Sequence, residues 1–164
     1  MTYQKGEKVM HALFGFAEIV DIENKVISGK SQQYYVVKTK DMLIWVPTST
    51  DLSSTLRPPS SKQDFFDCFP ILKSKYSPFS SDRHIRKSSI HTKMNTGSLS
   101  SLCELIRDLS FYRNYKKIND TEKSLLEKAT TNLLDEWGNA FGISNSQARS
   151  EMTKLLKESY ASST

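Results

Sequence analysis

Three glycines divide the first 47 residues into apolar runs too short for buried helices. Gly6, Gly15 and Gly29 stand among Val9-Met10, residues 16–22, Tyr34-Tyr35-Val36-Val37 and Leu43-Ile44-Trp45-Val46, and the stretch closes on Pro47. Each run is β-branched or aromatic and bounded by turn formers, which is how the strands of a small antiparallel sheet are written. A sheet of this size buries too little to enclose a large catalytic centre. It does expose an edge on which another protein's strand can pair. A docking module is therefore the better reading than an enzyme.

The remaining residues change character. Residues 48–61 hold two prolines and many serines and threonines, marking a loop and the end of the sheet. Ser61 is placed to cap a short helix through Asp64-Phe65-Phe66-Asp67-Cys68-Phe69, which Pro70 is expected to end near its second turn. A second break follows at Tyr76-Ser77-Pro78-Phe79-Ser80-Ser81, and from there the pattern is helical. Ser81 can cap a helix over residues 82 to about 94, with Gly97 as its stop. Leu99, Leu102, Leu105, Ile106 and Leu109 recur at three- and four-residue steps and predict a helix over 98–113. Asn119 with Glu122 forms a capping-box pattern that opens the longest helix, whose apolar row is Leu126, Ala129, Leu133, Trp137 and Phe141, with Gly142 as its stop. Ser144 with Gln147 repeats that pattern before a last helix faced by Ala148, Met152 and Leu155.

Composition excludes several classes. At 164 residues and 18.7 kDa, with mean hydropathy of -0.50, the chain fits one domain or two small ones. No apolar run approaches the roughly 20 residues of a membrane span, and the first residues lack a signal-peptide core, so a cytoplasmic protein is expected. Cys68 and Cys103 have no metal-ligand spacing and are expected to be reduced thiols, Cys103 in the core. No metal or cofactor is expected either. HExxH, P-loop, GxGxxG and GxSxG patterns are absent, and His84 and His91, seven apart, stand as polar residues beside basic ones. Arg107-Asp108, inside an apolar helix, is an interdomain or capping ion pair.

The net charge of +5 is unevenly spread. Residues 1–57 carry 7 Lys and Arg against 6 Asp and Glu, residues 98–164 carry 9 against 9, and residues 58–97 carry 7 against 3. In that middle stretch Arg83, Arg86, Lys87 and Lys93 fall within about a third of a helix circumference at 100° per residue. A solvated connector and a phosphate-facing stripe are both compatible with this pattern.

The ordered series of tracts resembles the CarD/CdnL family of bacterial transcription regulators. Tyr3-Gln4-Lys5-Gly6-Glu7-Lys8-Val9, Phe14-Gly15-Phe16-Ala17, Ile27-Ser28-Gly29 and Tyr34-Tyr35-Val36-Val37 match its start. Thr96-Gly97, Glu104-Leu105-Ile106-Arg107-Asp108-Leu109 and Thr121-Glu122-Lys123-Ser124-Leu125-Leu126-Glu127-Lys128-Ala129 match its second half, so the tracts run from residue 3 to about 141. The resemblance implies no catalysis and no cofactor. It implies an N-terminal Tudor-like domain that docks on the β subunit of RNA polymerase and a helical C-terminal domain that touches promoter DNA. Lys25, in the hairpin between two strands, corresponds to a usually basic position that meets the polymerase. Trp45 falls where the family carries a second contact residue. Alternation along Leu43-Ile44-Trp45-Val46 turns either Leu43 and Trp45 or Ile44 and Val46 outward. Lys123 and Lys128 match positions that contact the DNA backbone. Residue spacing alone also allows Lys123 an ordinary i,i+4 pair with Glu127.

The sequence departs from the family at one place. CarD-like proteins carry a Trp at the start of the basic helix, which wedges into the minor groove at the edge of the opened promoter. Here Arg83 stands at that place; Phe79 fits only with an inserted helical turn, and Ile85 is a poor wedge. The expected fold is α+β: a Tudor/SH3-like antiparallel β-barrel at 1–57, a linker with a short helix at 58–80, and a compact all-α domain of four or five helices at 81–160. The expected function is regulation of transcription initiation by a monomer. Lys25 and Trp45 would meet polymerase, and Arg83, Arg86, Lys87, Lys123 and Lys128 would meet promoter DNA. The alternative is a protein-interaction module that has lost the DNA role.

Overall fold

The short runs of the first 47 residues form strands, and the helical periodicities after residue 60 form helices. The computed structural model describes residues 2–49, 51 and 55–164. It divides into two units, Met1–Pro59 and Ser60–Thr164.

The first unit is an antiparallel sheet of β1 (Lys8–His11), β2 (Gly15–Ile27), β3 (Lys30–Lys38), β4 (Leu43–Pro47) and β5 (Leu56–Arg57), in the order β4-β3-β2-β1-β5. Val9, Ala17, Ile19, Tyr35, Val37, Val46 and Leu56 point to one side and bury together with Tyr3. Tyr3 is fixed there by its backbone N–H, which donates to the Tyr35 hydroxyl at 3.0 Å. A register shift between Ile19 and Asp21 bends β2 and changes which residues face the core beyond it.

The β2–β3 hairpin is longer than expected. Pairing runs out to Ile27 opposite Lys30, so Lys25 lies within β2 opposite Gln32 and not in the connecting turn. The turn is Ser28-Gly29, both with positive φ (52° and 75°). A two-residue loop of this kind matches the right-handed twist of the flanking strands and lets pairing continue to its edge. That pairing overrides the weak strand propensity of Glu23-Asn24-Lys25.

The second unit packs α1 (Lys62–Lys73), α2 (Arg83–Thr96), α3 (Leu99–Tyr115), α4 (Asp120–Phe141) and α5 (Asn145–Ser163) around one core. Residues 60–80 therefore belong to the helical unit instead of forming a linker. Phe65 and Leu72 of α1 are fully buried, Phe65 at 5.5 Å from the Trp137 ring. Pro70 does not end α1, which continues to Lys73. Its ring removes one backbone hydrogen bond, and the burial of Leu72 two residues on, contributing about 2 kcal/mol, offsets that loss.

The caps follow local sequence closely. Asn119 with Glu122 and Ser144 with Gln147 form the expected capping boxes, and a further one joins Ser61 to Asp64. Gly97 and Gly142 end α2 and α4 with positive φ. Asp82, not Ser81, caps α2, its carboxylate accepting from the backbone of His84 and Ile85. On α5 the buried row is Ala148, Met152 and Leu156; Leu155 lies at its margin.

Arg107-Asp108 is a clamp inside the helical unit. Arg107 donates to Asp108 at 2.7 Å and to the Ser74 hydroxyl at 2.7 Å, while Asp108 accepts from the Ser77 backbone at 2.9 Å. The pair fastens the chain leaving α1 to the middle of α3. The two cysteines are free thiols, Cys103 fully buried.

Candidate protein and nucleic-acid interfaces

Residues paired across an antiparallel sheet share a face. Glu23 pairs with Tyr34, and Val36 pairs with Trp45, so Glu23, Lys25 and Trp45 rise from the face opposite the core. Alternation on β4 resolves accordingly: Val46 is buried, and Leu43 and Trp45 turn outward, Trp45 being 39% exposed.

The structure brings Lys25 and Trp45 together. The Lys25 ammonium sits 3.8 Å from the centroid of a Trp45 ring, a cation–π contact. Glu23 fixes both: its carboxylate accepts from the Trp45 indole N–H at 2.9 Å and lies 4.0 Å from the Lys25 ammonium. Sequence reasoning missed Glu23, although its place two residues before Lys25 on the same face was the available signal. Among the described residues β4 pairs with β3 only and forms one edge of the sheet. A preformed aromatic and cationic platform thus stands beside strand edge groups, with Leu43 and Ile27 exposed on the same face. Such a surface can take a partner strand along its backbone and an acidic or apolar side chain on its face.

The expected basic stripe on α2 divides in two. Arg86, Ile90 and Met94 recur every four residues, and this row faces the core. Arg86 accordingly turns to α4, where its Nε donates to Glu122 at 2.6 Å; the Glu122 side chain is 8% exposed. Lys93 pairs with Glu104 at 3.0 Å and lies 3.6 Å from the buried Asp108. Both are internal ties between helices.

Arg83 and Lys87 occupy the neighbouring row and have no ion-pair partner among the described residues. They line a hollow of about 340 Å³ with Asn119, Thr121 and Glu122, at the N-terminus of α4. Unpaired cations beside a helix N-terminus make an electropositive spot suited to phosphate oxygens. Lys123 is exposed on the same first turn of α4 and pairs with Asp120 at 3.6 Å, three residues back, instead of with Glu127. Lys128 is exposed one turn further along that helix. Sequence reasoning missed the role of Glu122 in selecting which arginine turns inward.

Of the apolar residues near the start of α2, Phe79 packs against the helical core and donates its backbone N–H to the Tyr112 hydroxyl at 3.0 Å. Ile85 stands 60% exposed in the first turn. His11 is a turn clamp, its Nδ1 accepting from the backbone of Leu13 and Phe14. Among the described residues no three His, Cys, Asp or Glu side chains converge as a metal would need, and no helix is long and apolar enough to cross a membrane.

Two family models match the chain, one in each unit. Residues 3–58 match the CarD-like/TRCF RID domain, and residues 67–153 match the CarD C-terminal domain. YdeB of Bacillus subtilis (strain 168), a protein named as a candidate transcription factor, is 30% identical over 154 residues, covering 90% of this chain and 98% of its own length. The sheet unit, the helical unit and their order along the chain are those of one family: this protein belongs to the CarD-like family of transcription factors.

Proposed function

We propose that the protein modulates transcription initiation by docking its sheet unit on the β subunit of RNA polymerase while its helical unit touches promoter DNA. The observation that carries the reading is the Lys25–Trp45–Glu23 platform beside the β4 edge, in a chain of this family. A partner strand added to β4 would meet Trp45 and Lys25 on its face. Trp supplies a large contact area at low entropic cost, and Lys25 supplies a charge that an acidic partner residue would meet.

Arg83 and Lys87 support the DNA contact. They carry unpaired charge beside the first turn of α4, where Lys123 also stands, and Lys128 is exposed further along that helix. Arg86 supports this surface from within by joining α2 to α4 through Glu122. Contacts of this kind go to the backbone and carry little sequence information. The tether to polymerase raises the local DNA concentration, so few cations suffice.

A second reading keeps the docking and omits the DNA wedge. It is favoured by the first turn of α2, which offers Arg83 and Ile85 where the family's wedge requires an aromatic ring, and by the engagement of Phe79 against Tyr112. An arginine can enter a narrow minor groove but does not replace lost base stacking.

Capture of purified polymerase by the full chain at rising salt tests the docking. Wild-type protein is expected to retain the complex as salt rises, and Lys25→Glu to lose about tenfold or more in affinity through charge reversal. Full affinity in Lys25→Glu would remove the platform from the interface.

A further inference from the structure

One hollow of the helical unit is not among the surfaces assigned above. It is a groove of about 700 Å³ where α3, α4 and α5 meet. Its floor is apolar, formed by Leu126, Met152 and Leu156, all buried. Its rim carries three cations: Arg113 from the end of α3, and Arg149 and Lys157 from α5. The volume lies within the range of about 300–1,000 Å³ usual for small-molecule sites.

Of the described residues in the helical unit, Lys73, Arg86, Lys93, Arg107, Lys123 and Lys154 each have a carboxylate within pairing distance, and Arg83 and Lys87, among others, do not. Arg113, Arg149 and Lys157 have none among the described residues, although Glu127 lines the same groove. Arg149 and Lys157 lie eight residues apart on α5, about 12 Å along its axis, so their long side chains flank one extended ligand. Thr153, midway between them, donates its hydroxyl to the Arg149 carbonyl at 2.8 Å and leaves the hydroxyl oxygen as an acceptor on the same flank.

The other wall suits a sugar and a ring. Ser110 and Thr130 are buried hydroxyl residues of the lining, and Glu127 is a carboxylate able to accept from sugar hydroxyls. Tyr160 closes one end. Burial, ahead of its hydrogen bonds, raises the pKa of Tyr160, so its phenol stays protonated and presents a neutral ring. An apolar floor takes the face of a base, and the three cations take phosphates.

We propose that this groove binds a nucleoside polyphosphate, with Arg113, Arg149 and Lys157 on the phosphates and Leu126, Met152 and Leu156 beneath the base. The groove shares no lining residue with the hollow of Arg83 and Lys87, and filling it would make the regulator responsive to a soluble nucleotide.

Titration calorimetry on the full chain with ADP, GDP and UDP tests the assignment, with adenosine and inorganic pyrophosphate as controls. At least one nucleotide is expected to bind one-to-one and saturably. The triple variant Arg113→Gln, Arg149→Gln, Lys157→Gln is expected to bind it more than about tenfold more weakly, each lost charge-assisted contact removing affinity. All three positions are exposed, and the melting temperature of the unliganded variant reports whether its fold is kept; a fall there is met by repeating the titration with the three single variants. Adenosine and pyrophosphate should each bind more weakly than the nucleotide, because each engages only half of the groove. The proposal is overturned if no nucleotide gives saturable heat, if folded variants bind as tightly as wild type, or if pyrophosphate alone matches the nucleotide.

Discussion

The outer face of the sheet and the first turn of α2 both present basic residues, but they hold them in opposite ways. Lys25 rests on Trp45, and Glu23 fixes both, so the group is organised before any partner arrives. Arg83 and Lys87 have no ion-pair partner among the described residues, while Arg86 beside them is taken inward by Glu122. A held, aromatic platform suits a protein partner whose side chains must meet fixed positions, since little freedom remains to be lost on binding. Free cations suit a phosphate backbone, where charge matters more than register. Similar residue types are thus made specific or unspecific by their neighbours.

The largest effect expected concerns Arg86, and it separates an internal cation from the free ones. Arg86→Ala leaves Glu122 nearly buried without its guanidinium and should lower stability by about 3 kcal/mol. Arg83→Ala should change it by no more than about 0.5 kcal/mol. Denaturant unfolding of both variants checks this, and equal midpoints would erase the distinction between the two rows of α2. Next in size, Trp45→Ala should weaken polymerase binding by about 2 kcal/mol, some thirtyfold in Kd, because it removes both the contact area and the rest for Lys25. Fluorescence anisotropy with labelled protein reads the loss; an unchanged Kd would show the platform to be idle. Smaller again is Gly138→Ala in α4. Alanine normally favours a helix, but a Cβ here would lie 2.9 Å from the Ile143 carbonyl oxygen, in the turn closed by bonds from Gly142 and Ile143 to the Gly138 carbonyl. A thermal melt should show a loss of about 1 kcal/mol, against the gain of similar size that helix propensity alone predicts.

Much of the architecture is legible in the sequence because its signals are local. Asn119 with Glu122 and Ser144 with Gln147 name their helix starts within four residues, and Gly97 and Gly142 name the ends. The features that were not legible depend on distant partners. Pro70 would stop an isolated helix, but the core around Leu72 carries α1 past it. The polar stretch around Lys25 looks like a turn until β3 pairs with it. Which arginine of α2 turns inward is decided by Glu122, 36 residues away. Alternation on β4 offered two faces for Trp45, and only the register with β3 and β2 chose between them.

In the proposed function the sheet unit docks on polymerase, and Arg83 and Lys87 meet the DNA backbone. The most direct test is the salt dependence of promoter-DNA affinity, measured for wild type and for the double variant Arg83→Ala, Lys87→Ala, with and without polymerase. The logarithm of affinity should fall with the logarithm of salt at about -0.9 per phosphate neutralised. The double variant should flatten that slope by about two units and leave polymerase binding unchanged. Identical slopes for the two proteins in both settings would contradict the account and leave the chain a docking module alone.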